Sequence, residues 1–149
     1  MLIYVQSGFR RVLSTPALIV HIAYALHVNT SRVQTLTAEV LAAICVLSLT
    51  EGHRLVLAAM SDYKVEFEET FRFEQLVSTL RLSSAQEFGS GKREDEGAWD
   101  ARAATMAFIN SLINCPESLE ERMVLRDEFT RRGLDEVVTV RARAYVPSP

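Results

Sequence analysis

The fold is decided by the stretch G-H-R-L-V-L at residues 52–57 and by its relation to two other segments. Residues 8–13 read G-F-R-R-V-L, so Gly, Arg, Val and Leu coincide at a spacing of 44 residues. Residues 122–125, R-M-V-L, repeat the pattern 68 residues after Arg54, and a charged loop between them explains much of the excess. A period near 44 is typical of armadillo and HEAT repeats. We therefore predict an all-α, armadillo/HEAT-like, right-handed solenoid of roughly two to three incomplete repeats.

Apolar spacing and capping residues predict where the helices lie. Ser118 and Glu121 form a capping box, and Gly133 has the position of a left-handed residue after a helix. Thr50 is the predicted cap of the helix that contains Gly52. The predicted helices are 17–27 with Pro16 in the first turn, 31–49, 50–66, 70–82, 98–114, 118–132 and a last one to Tyr145. In the second of these, the apolar positions are Val33, Leu36, Val40, Ile44 and Leu47.

Domain organisation follows from composition. The 149 residues are 48% hydrophobic, which argues against extensive disorder, and one domain is expected over 1–146 with a tail at 147–149. Residues 83–97, rich in Ser, Gly and charge, are predicted to be a flexible inserted loop. The repeat pattern places residues 1–5 as an apolar stub in the middle of a repeat. Apolar faces meant for absent neighbours should then be exposed, which favours association of the isolated chain.

Charge and cysteine content exclude several classes of partner. The net charge of −3 argues against a general nucleic-acid binder, which needs a basic excess. Cys45 and Cys115 lie in apolar contexts without metal or redox spacing, so a reducing, intracellular compartment is expected. The apolar runs 16–26 and 40–49 are too short to span a membrane. The absence of acidic residues before Glu39 resembles a mitochondrial presequence by composition. The preferred interpretation is a folded helical surface that lacks acids, because Pro16 interrupts the segment and the repeat continues through it.

Catalytic motifs are missing from the sequence. It contains no G-x-S-x-G elbow, no phosphate-binding G-x-x-x-x-G-K-[ST] loop and no H-E-x-x-H motif. His21 lies in an apolar helix and is expected in the core or at a groove edge rather than as a ligand. Adjacent carboxylates such as Glu120 and Glu121 point apart on a helix, unlike a general acid/base pair. We therefore predict no enzyme activity, no cofactor and no metal site.

A binding surface is better supported. In solenoids of three-helix repeats, the third helices line a concave groove that accepts peptides. Here the third helices are 31–49 and 98–114. Ala43, Val46 and Ala107 are small or apolar, and Asn110 is a polar group that could orient a partner helix. The alternative is that these side chains pack between repeats.

Several segments resemble a known family. They are L-A-A-I-C-V-L at 41–47, E-G-H at 51–53, V-L-A-A-M at 56–60, R-F-E-Q-L-V at 72–77, F-I-N-S-L-I-N at 108–114, R-M-V-L-R-D-E-F at 122–129 and G-L-D-E-V at 133–137. Their order and spacing, covering about 33–138, resemble the armadillo-repeat regulatory region of diaphanous-related formins, also called formin homology 3 or the diaphanous inhibitory domain. No single motif among them is specific.

The resemblance implies a regulatory role. In that family, this region binds the protein's own C-terminal autoregulatory helix and holds the actin-assembling domain inactive. A Rho-type small GTPase binds the adjoining segment and the first repeats and releases the inhibition. Carried over by position, Ala43, Val46 and Leu47 on one helix, with Ala107 and Asn110 on the next, fall where the inhibitory helix docks. The implied location is cytoplasmic and associated with the actin cytoskeleton.

The sequence also departs from the family pattern. It lacks the GTPase-binding segment, the Pro-rich stretch and the actin-assembling domain, and the loop 83–97 is longer and more charged. We therefore interpret the chain as a fragment or truncated product that contacts actin only indirectly, through absent domains. The competing interpretation is a generic armadillo/HEAT adaptor or scaffold that binds a peptide helix.

Overall fold

The computed structural model describes residues 2–81 and 96–144, with side-chain environments for 4–81 and 97–140. The described chain is helical and contains no strand in these ranges. The helices are α1 (Leu2–Leu13), α2 (Pro16–Tyr24), α3 (Ser31–Leu47), α4 (Glu51–Glu66), α5 (Glu74–Leu80), α6 (Glu96–Asn114), α7 (Leu119–Arg131) and α8 (Leu134–Ala144), with a 3₁₀ turn at Ala25–His27 after α2. The predicted all-α, armadillo-like fold is confirmed.

The helices group into three-helix repeats: α1–α3, α4–α6 and the start of a third, α7–α8. Arg54 and Arg122 are each the fourth residue of the first helix in their repeat, so the spacing of 68 is structural. The pairing of Gly8 with Gly52 is wrong, because Gly8 lies in the middle of α1 and Gly52 is the second residue of α4. Residues 2–5 likewise belong to α1 and are not a separate stub. Leu, Val and Arg recur in any amphipathic helix, which explains the false match.

The core lies between the third helices and the layer behind them. α3 and α6 make the most extensive helix–helix contact in the described chain. α3 contributes Leu41 and Ile44, and α6 contributes Phe108 and Leu112, all within one apolar cluster. The side chains of Tyr63, Phe73 and Phe129 fill that cluster from α4, from just before α5 and from α7. One face of each third helix is therefore committed to the core.

Helix boundaries follow local chemistry. Ser118 accepts a hydrogen bond from the Glu121 N–H at 3.4 Å, and Gly133 has φ +84°, as the sequence predicts. Thr50 makes no side-chain cap, however; Ser48 Oγ accepts the Gly52 N–H at 3.0 Å instead. Ser48 is available because α3 ends at Leu47, two residues earlier than predicted.

The link between α4 and α5 is irregular. The predicted helix 70–82 is shorter, because Glu68 and Phe73 adopt left-handed φ values of 54° and 73°. Carboxylates satisfy the backbone of this turn: Glu69 Oε1 accepts the Gln75 N–H at 2.8 Å, and Glu74 Oε2 accepts the Thr70 N–H at 3.0 Å. Side-chain acceptors thus replace the helical hydrogen bonds that the turn lacks.

The predicted loop 83–97 overlaps α6 at residues 96–97, and its remainder lies outside the described residues, as does the tail 147–149. Arg72, between α4 and α5, links the second repeat to the third. Its Nε and Nη2 donate hydrogen bonds to the Glu128 carboxylate of α7 at 3.0 and 2.7 Å. No helix within the described ranges is long and apolar enough to cross a membrane.

Candidate functional site

The exposed face of α3 carries an apolar stripe. Leu36, Val40, Ala43 and Leu47 follow one another at four-, three- and four-residue intervals and so lie within about 60° of one another around the helix. The exposed fractions of Leu36, Val40 and Leu47 are 51%, 44% and 67%. Because isolated exposed aliphatic residues are common but a continuous row is not, this stripe is a candidate contact surface. We call it the α3 stripe.

The exposed face of α6 has the same spacing but different chemistry. Its residues, called here the α6 stripe, are Ala103, Ala107, Asn110 and Asn114, and all four are exposed. Asn114 Nδ2 donates to the Asn110 carbonyl at 3.0 Å, which leaves the Asn110 amide for other partners. Trp99, one turn before Ala103, is half-exposed, and the Arg102 guanidinium lies 5.8 Å from its ring centre.

The first turn of α4 holds the two helices side by side. A Cβ at Gly52 would lie 2.5 Å from the Ile44 carbonyl oxygen of α3, so only glycine permits this approach. The next residue, His53, is buried, and its Nε2 donates to the Leu112 carbonyl of α6 at 2.7 Å. These contacts lie on the faces of α3 and α6 that carry Ile44 and Leu112, which are buried, whereas the residues of the two stripes are exposed. We call the α3 and α6 stripes together the candidate surface.

Four of the five residues selected from the sequence lie on this surface: Ala43 and Leu47 in the α3 stripe, and Ala107 and Asn110 in the α6 stripe. Val46 is also exposed, at 57%, but it lies about 60° around the helix from Ala43 on the side away from Leu47. All five side chains are exposed. Sequence reasoning missed Leu36, Val40, Ala103 and Asn114, although extending the four-and-three spacing along each helix would have found them.

The titratable groups near the surface show no catalytic arrangement. Burial raises the pKa of the Cys45 thiol to about 12, with a smaller contribution from nearby Cys115, whose own pKa is also raised by burial. A thiol with such a pKa is neutral and unreactive near neutral pH. No group of three or more His, Cys, Asp or Glu side chains able to hold a metal ion occurs among the described residues.

The histidines have structural environments. His21 is exposed rather than in the core, and its Nδ1 donates to the Ala17 carbonyl at 2.6 Å. His27 stacks on Phe67 with ring centres 4.0 Å apart. His53, which the sequence did not single out, is the residue that links α4 to α6. The sequence could not predict this role, because the carbonyl partner of His53 lies 59 residues away in the chain.

Comparison with known proteins agrees with the repeat architecture. Residues 53–141 match the family described as Diaphanous FH3 Domain. The chain belongs to this family. It is 35% identical to Formin-like protein 1 of Mus musculus over 130 residues, which cover 87% of the chain and 11% of that protein. It is 30% identical to Formin-F of Dictyostelium discoideum over 136 residues, 89% of the chain and 10% of that protein.

A further relative is Disheveled-associated activator of morphogenesis 2 of Homo sapiens, 34% identical over 136 residues, 89% of the chain and 12% of that protein. The chain spans about a tenth of the length of the curated relatives it matches. The formin homology 3 family is a regulatory region of formins, and its match covers most of this chain.

Proposed function

We propose that the surface formed by the α3 and α6 stripes binds an amphipathic helix, the C-terminal autoregulatory segment of the parent formin. The observation that carries this proposal is the pair of exposed stripes with matching spacing on adjacent third helices. A helix laid along such a surface presents its apolar face through residues spaced by three and four. Membership of the formin homology 3 family supports this choice of partner helix.

The two stripes contribute different interactions to binding of the partner helix. Leu36, Val40 and Leu47 offer apolar area, and burying a side chain of this size stabilises a complex by about 1.5–3 kcal/mol when burial is complete. Ala103 and Ala107 have small side chains that let a partner backbone approach closely. Asn110 can donate and accept hydrogen bonds and so favours one register of the bound helix.

The regulatory consequence is mutual exclusion. A Rho-type GTPase that binds the first repeats and an adjoining segment would compete with the autoregulatory helix, so each ligand lowers the apparent affinity of the other. Release of the helix would then free the actin-assembling domain of the parent protein, at the cytoplasmic actin cytoskeleton. In this scheme, the chain is a non-catalytic binding module that reaches actin only through other domains.

The test measures binding of a peptide from the parent's autoregulatory segment, with its spaced Leu residues and basic tail, to the full 149-residue chain. Ala43→Asp places a charge in the α3 stripe and should weaken binding at least tenfold. Ala58→Asp is the matched control, since Ala58 is an exposed alanine on α4 outside both stripes. Val46→Asp should have a smaller effect than Ala43→Asp, because Val46 lies beside the stripe.

Circular dichroism would verify that each variant is folded. Equal affinities of the Ala43→Asp and Ala58→Asp chains would refute the assignment of this surface. Failure of the folded wild-type chain to bind the peptide at all would count against the proposed partner.

A further inference from the structure

A cavity elsewhere in the described chain shares no lining residue with the two stripes. It occupies about 330 Å³ between α5 and the turn that joins α7 to α8. The residues that line it include Arg81, Arg131 and Arg132, the exposed Ser78 and Phe71. Three of the lining residues are cationic and one, Glu74, is anionic. The cavity is thus richer in positive charge than the chain as a whole, whose net charge is −3.

Arg132 is held in a fixed orientation. Its guanidinium carbon lies 3.9 Å from the centre of the Phe71 ring, within the range of a cation–π contact. Its Nε is buried and has no hydrogen-bond partner among the described residues. Arg132 also caps α7, so its backbone position is set by the helix end. A guanidinium restrained in this way loses little conformational entropy when it binds an anion.

Arg81 approaches the same turn from α5. One of its terminal nitrogens lies 3.2 Å from the point where a Cβ on Gly133 would be, directly after Arg132. No ion pair of Arg81 with a carboxylate is found in the described part of the chain. Arg131 pairs with Asp127 at 2.7 Å, but both side chains are largely exposed, and such surface pairs exchange readily.

Three carboxylates lie near the three arginines, but only Glu74 is among the residues that line the cavity. Glu74 Oε2 is engaged by the Thr70 N–H at 3.0 Å. Glu136 Oε2 lies 3.6 Å from the same Cβ point on Gly133. Asp127 pairs with Arg131 and is not among the residues that line the cavity. Bringing guanidinium groups together costs free energy unless an anion lies between them.

We propose that this cavity binds a phosphate monoester carried on a side chain of a partner peptide. Such a phosphate has nearly two negative charges and three acceptor oxygens, which suit several guanidinium donors at once. A cavity of about 330 Å³ between α5 and the α7–α8 turn suits a single phosphate group better than a flat membrane surface. The site is separate from the helix-binding surface, so a phosphorylated segment would engage this region independently of the autoregulatory helix.

The experiment titrates the full chain with phosphoserine, phenyl phosphate and unmodified serine at low ionic strength, following arginine side-chain N–H signals by NMR. Both phosphate monoesters should bind and serine should not. Arg81→Gln should weaken the phosphates at least tenfold, the loss expected for a charge-assisted hydrogen bond. Arg126→Gln, an exposed arginine of α7 outside the cavity, should change affinity less than twofold.

Arg81 is chosen rather than Arg132 because Arg132 is partly buried and its substitution can impair folding. Arg81 is exposed, so the Arg81→Gln chain is expected to fold. Equal affinities of the Arg81→Gln and Arg126→Gln chains, or no phosphate binding by the wild type, would overturn the proposal. A parallel arm uses vesicles containing an anionic phospholipid. Arg81-dependent binding to vesicles without binding to the soluble phosphates would also overturn it, in favour of a membrane surface.

Discussion

The two third helices, α3 and α6, share a spacing and differ in chemistry. The exposed residues of α3 are mainly branched aliphatic side chains, whereas those of α6 are alanines and asparagines. Both helices bury comparable apolar faces in the same core. The difference therefore concerns the outer surface alone. On the proposed function, we expect α3 to supply most of the apolar binding energy and α6 to supply close approach and orientation.

The largest expected effect is on the free energy of unfolding and comes from disrupting the close contact between α4 and α3 at Gly52. Gly52→Ala places a Cβ 2.5 Å from the Ile44 carbonyl oxygen and 2.8 Å from Ser48 Cβ, so α4 must shift away from α3. We expect the free energy of unfolding to fall by about 2–3 kcal/mol, as in other overpacked sites. Urea denaturation measures it.

Gly8→Ala is the matched control, because a Cβ at Gly8 meets nothing within 4 Å. Replacing a glycine inside a helix should raise stability by about 0.5–1 kcal/mol. A similar change in stability for the two alanine variants would contradict the role assigned to Gly52.

The second prediction separates the two stripes by affinity. Leu47→Ala removes apolar area from α3 and should weaken binding of the autoregulatory peptide by about 1–2 kcal/mol. Asn110→Ala removes one polar group from α6 and should cost about 0.5–1.5 kcal/mol. Isothermal titration calorimetry gives both values, and Val65→Ala, an exposed residue of α4, serves as the control. A greater loss for Asn110→Ala than for Leu47→Ala would reverse the division of roles.

The third prediction concerns the buried sides of the same helices. Cys45 of α3 has a folded-state pKa of about 12 against an ordinary value of 9.0. Its proton is therefore lost first from the unfolded chain. The contribution of the protonated Cys45 thiol to the free energy of unfolding is complete below pH 9. It decreases between pH 9 and 12, by up to about 1.4 kcal/mol per pH unit.

Urea denaturation at pH 8, 9 and 10 under reducing conditions tests this dependence. Cys45→Ala should flatten the decline, while Cys115→Ala, at the end of α6, should retain most of it. Burial also raises the pKa of Tyr63, so a shared decline above pH 10 is expected in all three proteins. Identical slopes for the wild type and Cys45→Ala would exclude the thiol as the cause.

The sequence predicts most of the fold because its helix-ending residues act locally. Pro16, Ser118 and Gly133 end or begin helices through their own backbone and side-chain chemistry, so the chain needs no tertiary contact to position them. Thr50 occupies the predicted N-cap position, but its side chain makes no capping hydrogen bond, because α3 ends early enough for Ser48 Oγ to accept the Gly52 N–H instead. The α1 helix was missed since it carries no predicted cap and the false repeat divided it.

The candidate surface was only partly predictable, for a reason visible in α3. The apolar positions Val33, Leu36, Val40, Ile44 and Leu47 predict a helix correctly, but they do not share one environment. Ile44 is buried, whereas Leu36, Val40 and Leu47 are exposed. Periodicity identifies an apolar face, and α3 has apolar residues on two faces. Only the positions of α4 and α6 decide which face enters the core.

One consequence follows from the first turn of α4. Gly52 touches α3 and His53 bonds to α6, so two successive residues set the separation of the helices, and neither contributes to the stripes. The width of the surface and its chemistry are therefore encoded at different positions. On the proposed function, substitutions along α3 and α6 would alter which helix is recognised while the spacing of the two helices stays constant, so partners could diversify without a change in the packing that positions α3 and α6.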